Sequence, residues 1–222
     1  ENFAYIASHD LQEPLRMVAS YLQLLEHRYK DKLDEDGNDF INFAVDGAKR
    51  MQNLINDLLS YSRVGTRGKK FEITNSDEIL NQALSDLKLL IDDSGAKITY
   101  DPLPKINADN VQVGQLFQNL IGNAIKFHNE EPPKVHITAE NLENDWLFSI
   151  ADNGIGIDPK YSDRAFMIFQ RLHNKNDYPG TGIGLAICKR IVERHKGKIW
   201  LKSKPGEGTT FYFTIPKTGS DE

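Results

Sequence analysis

Apolar residues near the start of the chain recur with helical spacing. Ala4, Ala7, Leu11, Leu15, Val18, Leu22, Leu25 and Tyr29 follow one another at steps of three or four, the stripe of an amphipathic helix. A charged stretch from Lys30 to Asn38, carrying Gly37, interrupts it. Phe40, Ala44, Gly47, Met51, Leu54, Leu58 and Tyr61 then resume the period, with a second stripe at Ile41, Ala48 and Ile55. Two helices joined by a short turn are expected to lie antiparallel. Their apolar faces are too broad for one hairpin to cover. The pattern therefore predicts a homodimer in which two hairpins pair as a four-helix bundle.

Beyond this hairpin the pattern shifts to shorter, alternating elements. Ser62 to Lys70, with Gly65, Gly68 and several basic residues, reads as a linker. Phe71–Thr74 is expected as a strand, and Ser76 or Asp77 as the cap of a helix reaching about Asp92. Ile98–Tyr100 and Lys105–Asn107 read as short extended segments, and Asp109 as the cap of a helix running to about His128. Val135–Glu140 and Trp146–Ala151 alternate like the strands of a hairpin. Gly182–His195 reads as a helix, and Lys198–Lys202 with Thr209–Ile215 as a closing hairpin. The sum is a mixed sheet covered on one face by about three helices.

Composition adds exclusions. Charged residues are 27% and hydrophobic residues 39%, with Gly 16 and Pro 9, so collagen-like and wholly disordered chains are ruled out. The net charge of −5 comes from 27 basic and 32 acidic residues interspersed along the chain, and no nucleic-acid partner is expected. Cys188 is the only cysteine. An internal disulfide and a multi-cysteine zinc site are thereby excluded, and a reducing, cytoplasmic compartment is expected. No apolar run approaches the roughly 20 residues of a membrane-spanning helix, and no signal-peptide pattern opens the chain. The chain starts at Glu1 already within a helical pattern, which reads as a piece of something longer.

Candidate chemistry lies in four places. His9 sits about 200° around the helix from both Ala7 and Leu11, so its imidazole is expected to face away from the apolar seam. Asp10 adjoins it, Glu13 shares its face one turn on, and Pro14 is expected to kink the helix just beyond. The other histidines, His27, His128, His136, His173 and His195, read as solvated surface residues. Three glycine clusters fall at element ends: Asp152-Asn153-Gly154-Ile155-Gly156-Ile157, Gly180-Thr181-Gly182-Ile183-Gly184-Leu185 and Gly206-Glu207-Gly208-Thr209. Such turns let backbone amides approach a phosphate or a flat base. None has Rossmann spacing or a following Walker lysine. On the helix from Asp109, Asn119, Asn123 and Lys126 share one face. Amide oxygens there suit Mg²⁺ and the lysine suits a phosphate, with interhelical hydrogen bonding as the alternative use.

Taken together, these motifs resemble those of the sensor histidine kinases. Ser8-His9-Asp10-Leu11-Gln12-Glu13-Pro14-Leu15-Arg16 is similar to their phosphoacceptor box, Asn119 to Phe127 to their N box, and Phe166 to Arg171 to their F box. The glycine clusters resemble their three glycine boxes, in the same order. The phosphoacceptor wording and Phe169-Gln170-Arg171-Leu172-His173 are most similar to the phytochrome-like subgroup.

The resemblance implies an all-α hairpin followed by an α/β sandwich of the Bergerat (GHKL) ATPase type. Residues 1–62 would be the dimerisation and histidine phosphotransfer domain, 63–70 a linker, 71–217 the catalytic and ATP-binding domain, and 218–222 a tail. It implies that His9 takes the γ-phosphoryl group of ATP while Asp10 orients the ring. Asn123 would coordinate Mg²⁺ with Asn119 beside it, and Lys126 would meet phosphate. Asp152 would accept the adenine amino group, with Gly154, Gly156 and Thr209 around the base. Phe166 and Phe169 would anchor a mobile lid from Leu172 to Pro179. Gly180, Thr181, Gly182, Gly184 and Leu185 would hinge it and offer amides to the phosphates. Arg171 and Lys175 would stabilise charge on the transferring group. Implied partners are a second copy, a response regulator receiver domain and an upstream sensor domain. Glu13 stands where many members carry Thr or Asn, which puts partner phosphatase activity in doubt. Two other readings use the same motifs: an ATPase driving a conformational cycle, and a nucleotide-binding dimeric scaffold without kinase activity.

Overall fold

The computed structural model describes residues 2–66, 68–172, 178 and 180–217, with residues 2–11 as backbone alone. The chain divides into two compact units, Glu1–Arg63 and Val64–Glu222. Among the described residues no helix is long and apolar enough to cross a membrane.

The first unit is a helical hairpin. Helix α1 spans Asn2–Tyr29 and continues through Pro14; helix α2 spans Glu35–Thr66, so helix occupies the first part of the stretch read as linker. The turn is shorter than the charged run suggested. A 3-10 turn at Lys30–Lys32 follows α1 directly, and the Asp34 carboxylate accepts the Gly37 N–H at 2.9 Å. Gly37 therefore lies in the first turn of α2 instead of breaking it. The hairpin buries a narrow seam of Leu15, Ala19 and Ala48, flanked by Leu22 and Ile55, with Gln12 donating to Asn56 across the two helices at 2.8 Å. The second stripe of α2 supplies that seam. Much of the first stripe stays outside: Phe40 is 70% exposed, and Met51 and Leu54 are exposed with it, as are Phe43 of α2 and Val18, Tyr21 and Leu25 of α1.

The second unit is a mixed sheet with helices on one face. Strand β2 (Lys97–Tyr100) pairs parallel with β4 (Lys134–Asn141). Antiparallel pairing then adds β5 (Asp145–Asp152), β7 (Gly208–Pro216) and β6 (Ile199–Lys204), in the order β2-β4-β5-β7-β6. A two-stranded ribbon joins β1 (Glu72–Asn75) to β3 (Lys105–Ala108). Asn75, not Ser76 or Asp77, caps helix α3 (Ser76–Asp86), because its side chain accepts the Asp77 N–H. The helix expected to run unbroken to Asp92 stops at Leu87 and restarts as α4 (Lys88–Ser94), which ends on left-handed Gly95. Helix α5 (Asn110–Lys126) is capped by Asp109 as expected, and α6 runs Gly184–Arg194.

Alternation decides which face is covered. Phe148, Ile150, Phe211, Phe213 and Ile215 are buried, each two residues from the next along its strand, so they point to one side of the sheet. Phe148 and Phe213 are cross-strand partners with rings stacked at 4.9 Å. Phe117 of α5 meets both edge-on at 6.2 Å. Fully burying rings of this size stabilises by about 2–3 kcal/mol each, and this cluster fixes α5 on the sheet.

A polar cluster joins the two helices at the edge of this unit. His195, expected at the surface, is only 3% exposed and stacks on Phe71 at 4.5 Å. The Asp109 N–H donates to its Nε2 at 3.1 Å, so the ring proton sits on Nδ1 and bonds the Ile191 carbonyl at 2.8 Å. Burial pushes the His195 pKa below 6.5, with Arg194 adding to that and the Ile191 carbonyl opposing it. The unfolded chain therefore takes up a proton that the folded chain refuses. The contribution of His195 to stability is full above about pH 6.5 and is lost as the pH falls through the lowered folded value. The melting temperature of wild type should fall more between about pH 7.5 and about pH 5.5 than that of His195→Gln; parallel curves would contradict this.

Candidate functional site

The first and third glycine clusters meet at the end of β5, while the second lies against Lys126 and Asn119 of α5. The Gly154 and Thr209 amides both donate to Asp152 Oδ1, at 2.8 and 3.0 Å. Burial raises the Asp152 pKa and the two amides oppose the rise. Among the described residues nothing donates to Oδ2, so one carboxylate oxygen is committed to the fold and the other remains an acceptor for a ligand. Two glycines make this approach possible. A Cβ on Gly156 (φ +72°) would lie 2.1 Å from the Lys204 carbonyl oxygen, and one on Gly208 (φ +93°) would lie 2.0 Å from that of Asp152. Any side chain at either position would push the crossing chains apart.

Thr209, buried beside Asp152, has its donor already spent. Ser203 Oγ donates to the Gly208 carbonyl at 2.8 Å and accepts the Ile157 N–H at 2.7 Å. Its 2.9 Å contact with Thr209 Oγ1 must therefore use the Thr209 proton, which leaves Thr209 an acceptor toward a ligand. Ser203 was not visible as a site residue in sequence. It lies in a strand outside every glycine box, and only the register Ser203↔Thr209 brings it in.

Helix α5 brings the polar face to the same region. Asn119 is half-buried and its Nδ2 reaches the Gly184 carbonyl at 3.5 Å; its side chain also bonds the Cys188 thiol, whose pKa burial pushes up to about 12. A thiol so protonated is unreactive. One turn on, the Asn123 side chain is half-buried and takes no partner among the described residues. Lys126 Nζ lies 4.3 Å over the Phe127 ring and close against Gly180. Burial lowers the Lys126 pKa, and the Arg171 guanidinium lowers it further. Two cations thus feel one another with no described carboxylate between them, an arrangement that an anion would relieve.

The F box divides. Phe166 is buried edge-on against Phe211 at 6.4 Å. Phe169 has φ +62° and is 55% exposed. Arg171 donates to the Tyr178 carbonyl at 2.6 Å, and the Tyr178 ring lies 5.0 Å from that of Phe127. Tyr178 joins Ile155, Asn153 and Gly206 in lining a cleft of about 720 Å³. Thr181 Oγ1 accepts the Ile183 N–H at 3.4 Å, Gly182 packs on the Gln170 carbonyl, and Gly184 and Leu185 open α6. Lys175 and most of the expected lid lie outside the described residues, as do the side chains of His9 and Asp10.

The comparisons agree along the chain. The family described as His Kinase A (phospho-acceptor) domain matches residues 1–67. The family described as histidine kinase-, DNA gyrase B- and HSP90-like ATPase matches residues 108–219. Cyanobacterial phytochrome A of Nostoc sp. is 59% identical over 221 residues, spanning 100% of this chain and 29% of that protein. The phytochrome-like protein Cph1 of Synechocystis sp. is 54% identical over 216 residues, spanning 97% of this chain and 29% of that protein. The chain thus spans under a third of these relatives' length. The crystal structure of full-length ShkA in complex with AMPPNP superposes with a TM-score of 0.73 at 26% identity, covering 99% of this chain and 47% of that one. With both domain families matched in order and two of the glycine clusters gathered on Asp152, the chain belongs to the histidine kinases, as a phosphoacceptor domain followed by an ATPase domain of the gyrase B and HSP90 kind.

Proposed function

We propose that this chain is the catalytic core of a two-component sensor: it phosphorylates His9 from ATP and passes the group to an aspartate of a response regulator. The observation that carries this reading is that one unit holds both the Lys126–Arg171 pair, two cations without a described counterion, and a carboxylate with one oxygen still available. A polyphosphate joined to a purine amine supplies both complements. That ShkA was solved with AMPPNP supports a nucleoside triphosphate as the ligand.

In this reading Asp152 Oδ2 accepts the adenine amino group and Thr209 offers a second acceptor. Lys126 and Arg171 hold phosphate oxygens. The unpartnered Asn123 amide fits a Mg²⁺ ion that takes its remaining ligands from phosphates and water; when bound, the ion would neutralise charge between the phosphates. A neutral His9 nitrogen attacks the γ-phosphorus, the bond to the β–γ bridging oxygen breaks, and ADP leaves with that electron pair. Asp10 accepts the other ring N–H, and its negative charge balances the positive charge that develops on the imidazole. Lys175, Gly180, Thr181, Gly182, Gly184 and Leu185 belong to the lid and phosphate turn, and Phe166 holds one end of that segment in the core. The proposal keeps 1–62 as the dimerisation and phosphotransfer domain, 63–70 as linker, 71–217 as catalytic domain and 218–222 as tail, in the cytoplasm where ATP is supplied. It does not extend to partner dephosphorylation, because Glu13 would set a negative charge beside the phosphoryl group.

The exposed stripes of the hairpin support a second copy as partner. Phe40, Phe43, Tyr21 and Leu25 form apolar faces that water disfavours, and pairing hairpins covers them.

Three measurements test this reading. Incubation with γ-labelled ATP should give acid-labile, base-stable label that His9→Gln abolishes; phosphate release without label would instead favour an ATPase, and neither would favour a scaffold. Asp152→Asn turns one of the two acceptor oxygens into a donor and should weaken ATP binding about 10- to 100-fold by calorimetry; unchanged affinity would remove Asp152 from the base pocket. Sedimentation equilibrium should show a dimer that Phe43→Glu together with Tyr21→Glu dissociates, and a monomeric wild type would refute the pairing.

A further inference from the structure

The second unit holds the chain segment that enters it with a set of polar contacts unrelated to the nucleotide residues. Gln112 Nε2 donates to the Val64 carbonyl at 3.0 Å, and the Lys69 N–H donates to Asp109 Oδ2 at 2.6 Å. Arg194 closes the set. It donates to the Lys69 carbonyl at 2.6 Å, to Asp109 Oδ2 at 3.0 Å and to Gln112 Oε1 at 2.7 Å, and its guanidinium lies 4.8 Å over the Phe71 ring. Asp109 and Gln112 are almost fully buried. Gly68 is the point of passage: a Cβ there would fall 2.1 Å from the guanidinium carbon.

These contacts bind the chain at Val64, Gly68, Lys69 and Phe71 to the N-terminus of α5 and the C-terminus of α6. Asn119, Asn123 and Lys126 lie further along α5, and Gly184 begins α6 at its opposite end. Gln112 and Lys126 are 14 residues apart on α5, which at about 1.5 Å per residue separates the clamp from Lys126 by about 21 Å. The clamp is therefore placed to act on the tether and not on the nucleotide.

We infer that Arg194, with Asp109 and Gln112, is a positioning residue for phosphoryl transfer. By fixing Val64, near the end of α2, and Lys69 to the catalytic unit, the clamp takes up the flexible connection between that unit and the hairpin that carries His9 and so raises the effective concentration of γ-phosphate at the imidazole. Freeing the segment lengthens a flexible connection, and effective concentration falls with length to roughly the −3/2 power or steeper. The inference rests on the kinase reading above, because it assigns the clamp a part in that transfer.

Two variants of the full 222-residue chain test it. Arg194→Met keeps an apolar stem over Phe71 and removes the hydrogen bonds. Gly68→Ala leaves Arg194 in place chemically and displaces only its guanidinium. Both should lower the rate of His9 labelling at saturating ATP about tenfold, leave the dissociation constant for Mg²⁺-AMPPNP within about twofold, and accelerate hydrogen exchange at the Lys69 amide. Rates equal to or above wild type would overturn the inference, as would a parallel loss of nucleotide affinity, which marks general destabilisation. An unlabelled wild type would instead defeat the kinase reading and the consequence for transfer with it, while slow Lys69 exchange lost in both variants would still show the clamp itself.

Discussion

The second unit depends on backbone crossing backbone without a side chain between. At the end of β5 the Asp152 carbonyl lies where a Cβ of Gly208 would be, and the Lys204 carbonyl lies where one of Gly156 would be. That proximity lets two amides from separate turns reach one carboxylate oxygen. The aromatic cluster of Phe117, Phe148 and Phe213 then sets the asparagine-bearing helix against the strand that ends in Asp152. Packing positions the helix, and the glycines bring the loops to it.

This division explains what was legible in the sequence. The helix stripes, the Asp109 cap and the two closing hairpins follow from local periodicity and turn chemistry, and the structure has them. Where a local rule met a competing local contact it failed. Gly37 looked like a helix breaker until the Asp34 carboxylate capped its amide. The break at Leu87 has no proline or glycine to announce it.

At the site, the residues quoted in the motifs carry their chemistry in their type: amides, a lysine, a carboxylate, glycines. Ser203 and His195 do not. Each is an ordinary residue made important by its partners, Thr209 across the hairpin and the distant Ile157 for one, the distant Asp109 and Phe71 for the other. An exposure of only 3% for a histidine in a polar run has no precursor in hydrophobic patterning, since the pattern scores the residue and not the cavity it enters.

The parallel pairing of β2 with β4, alone in an otherwise antiparallel sheet, has an evolutionary consequence. Parallel neighbours require a crossover, and here α5 lies on it. The helix that presents Asn119, Asn123 and Lys126 is therefore also the segment that closes the topology, and its buried face belongs to the core. On the proposed reading of those three residues, a descendant that gave up ATP would have to keep the helix and change only its polar stripe. Loss of activity would then be written as point replacements on one face of α5, never as its deletion.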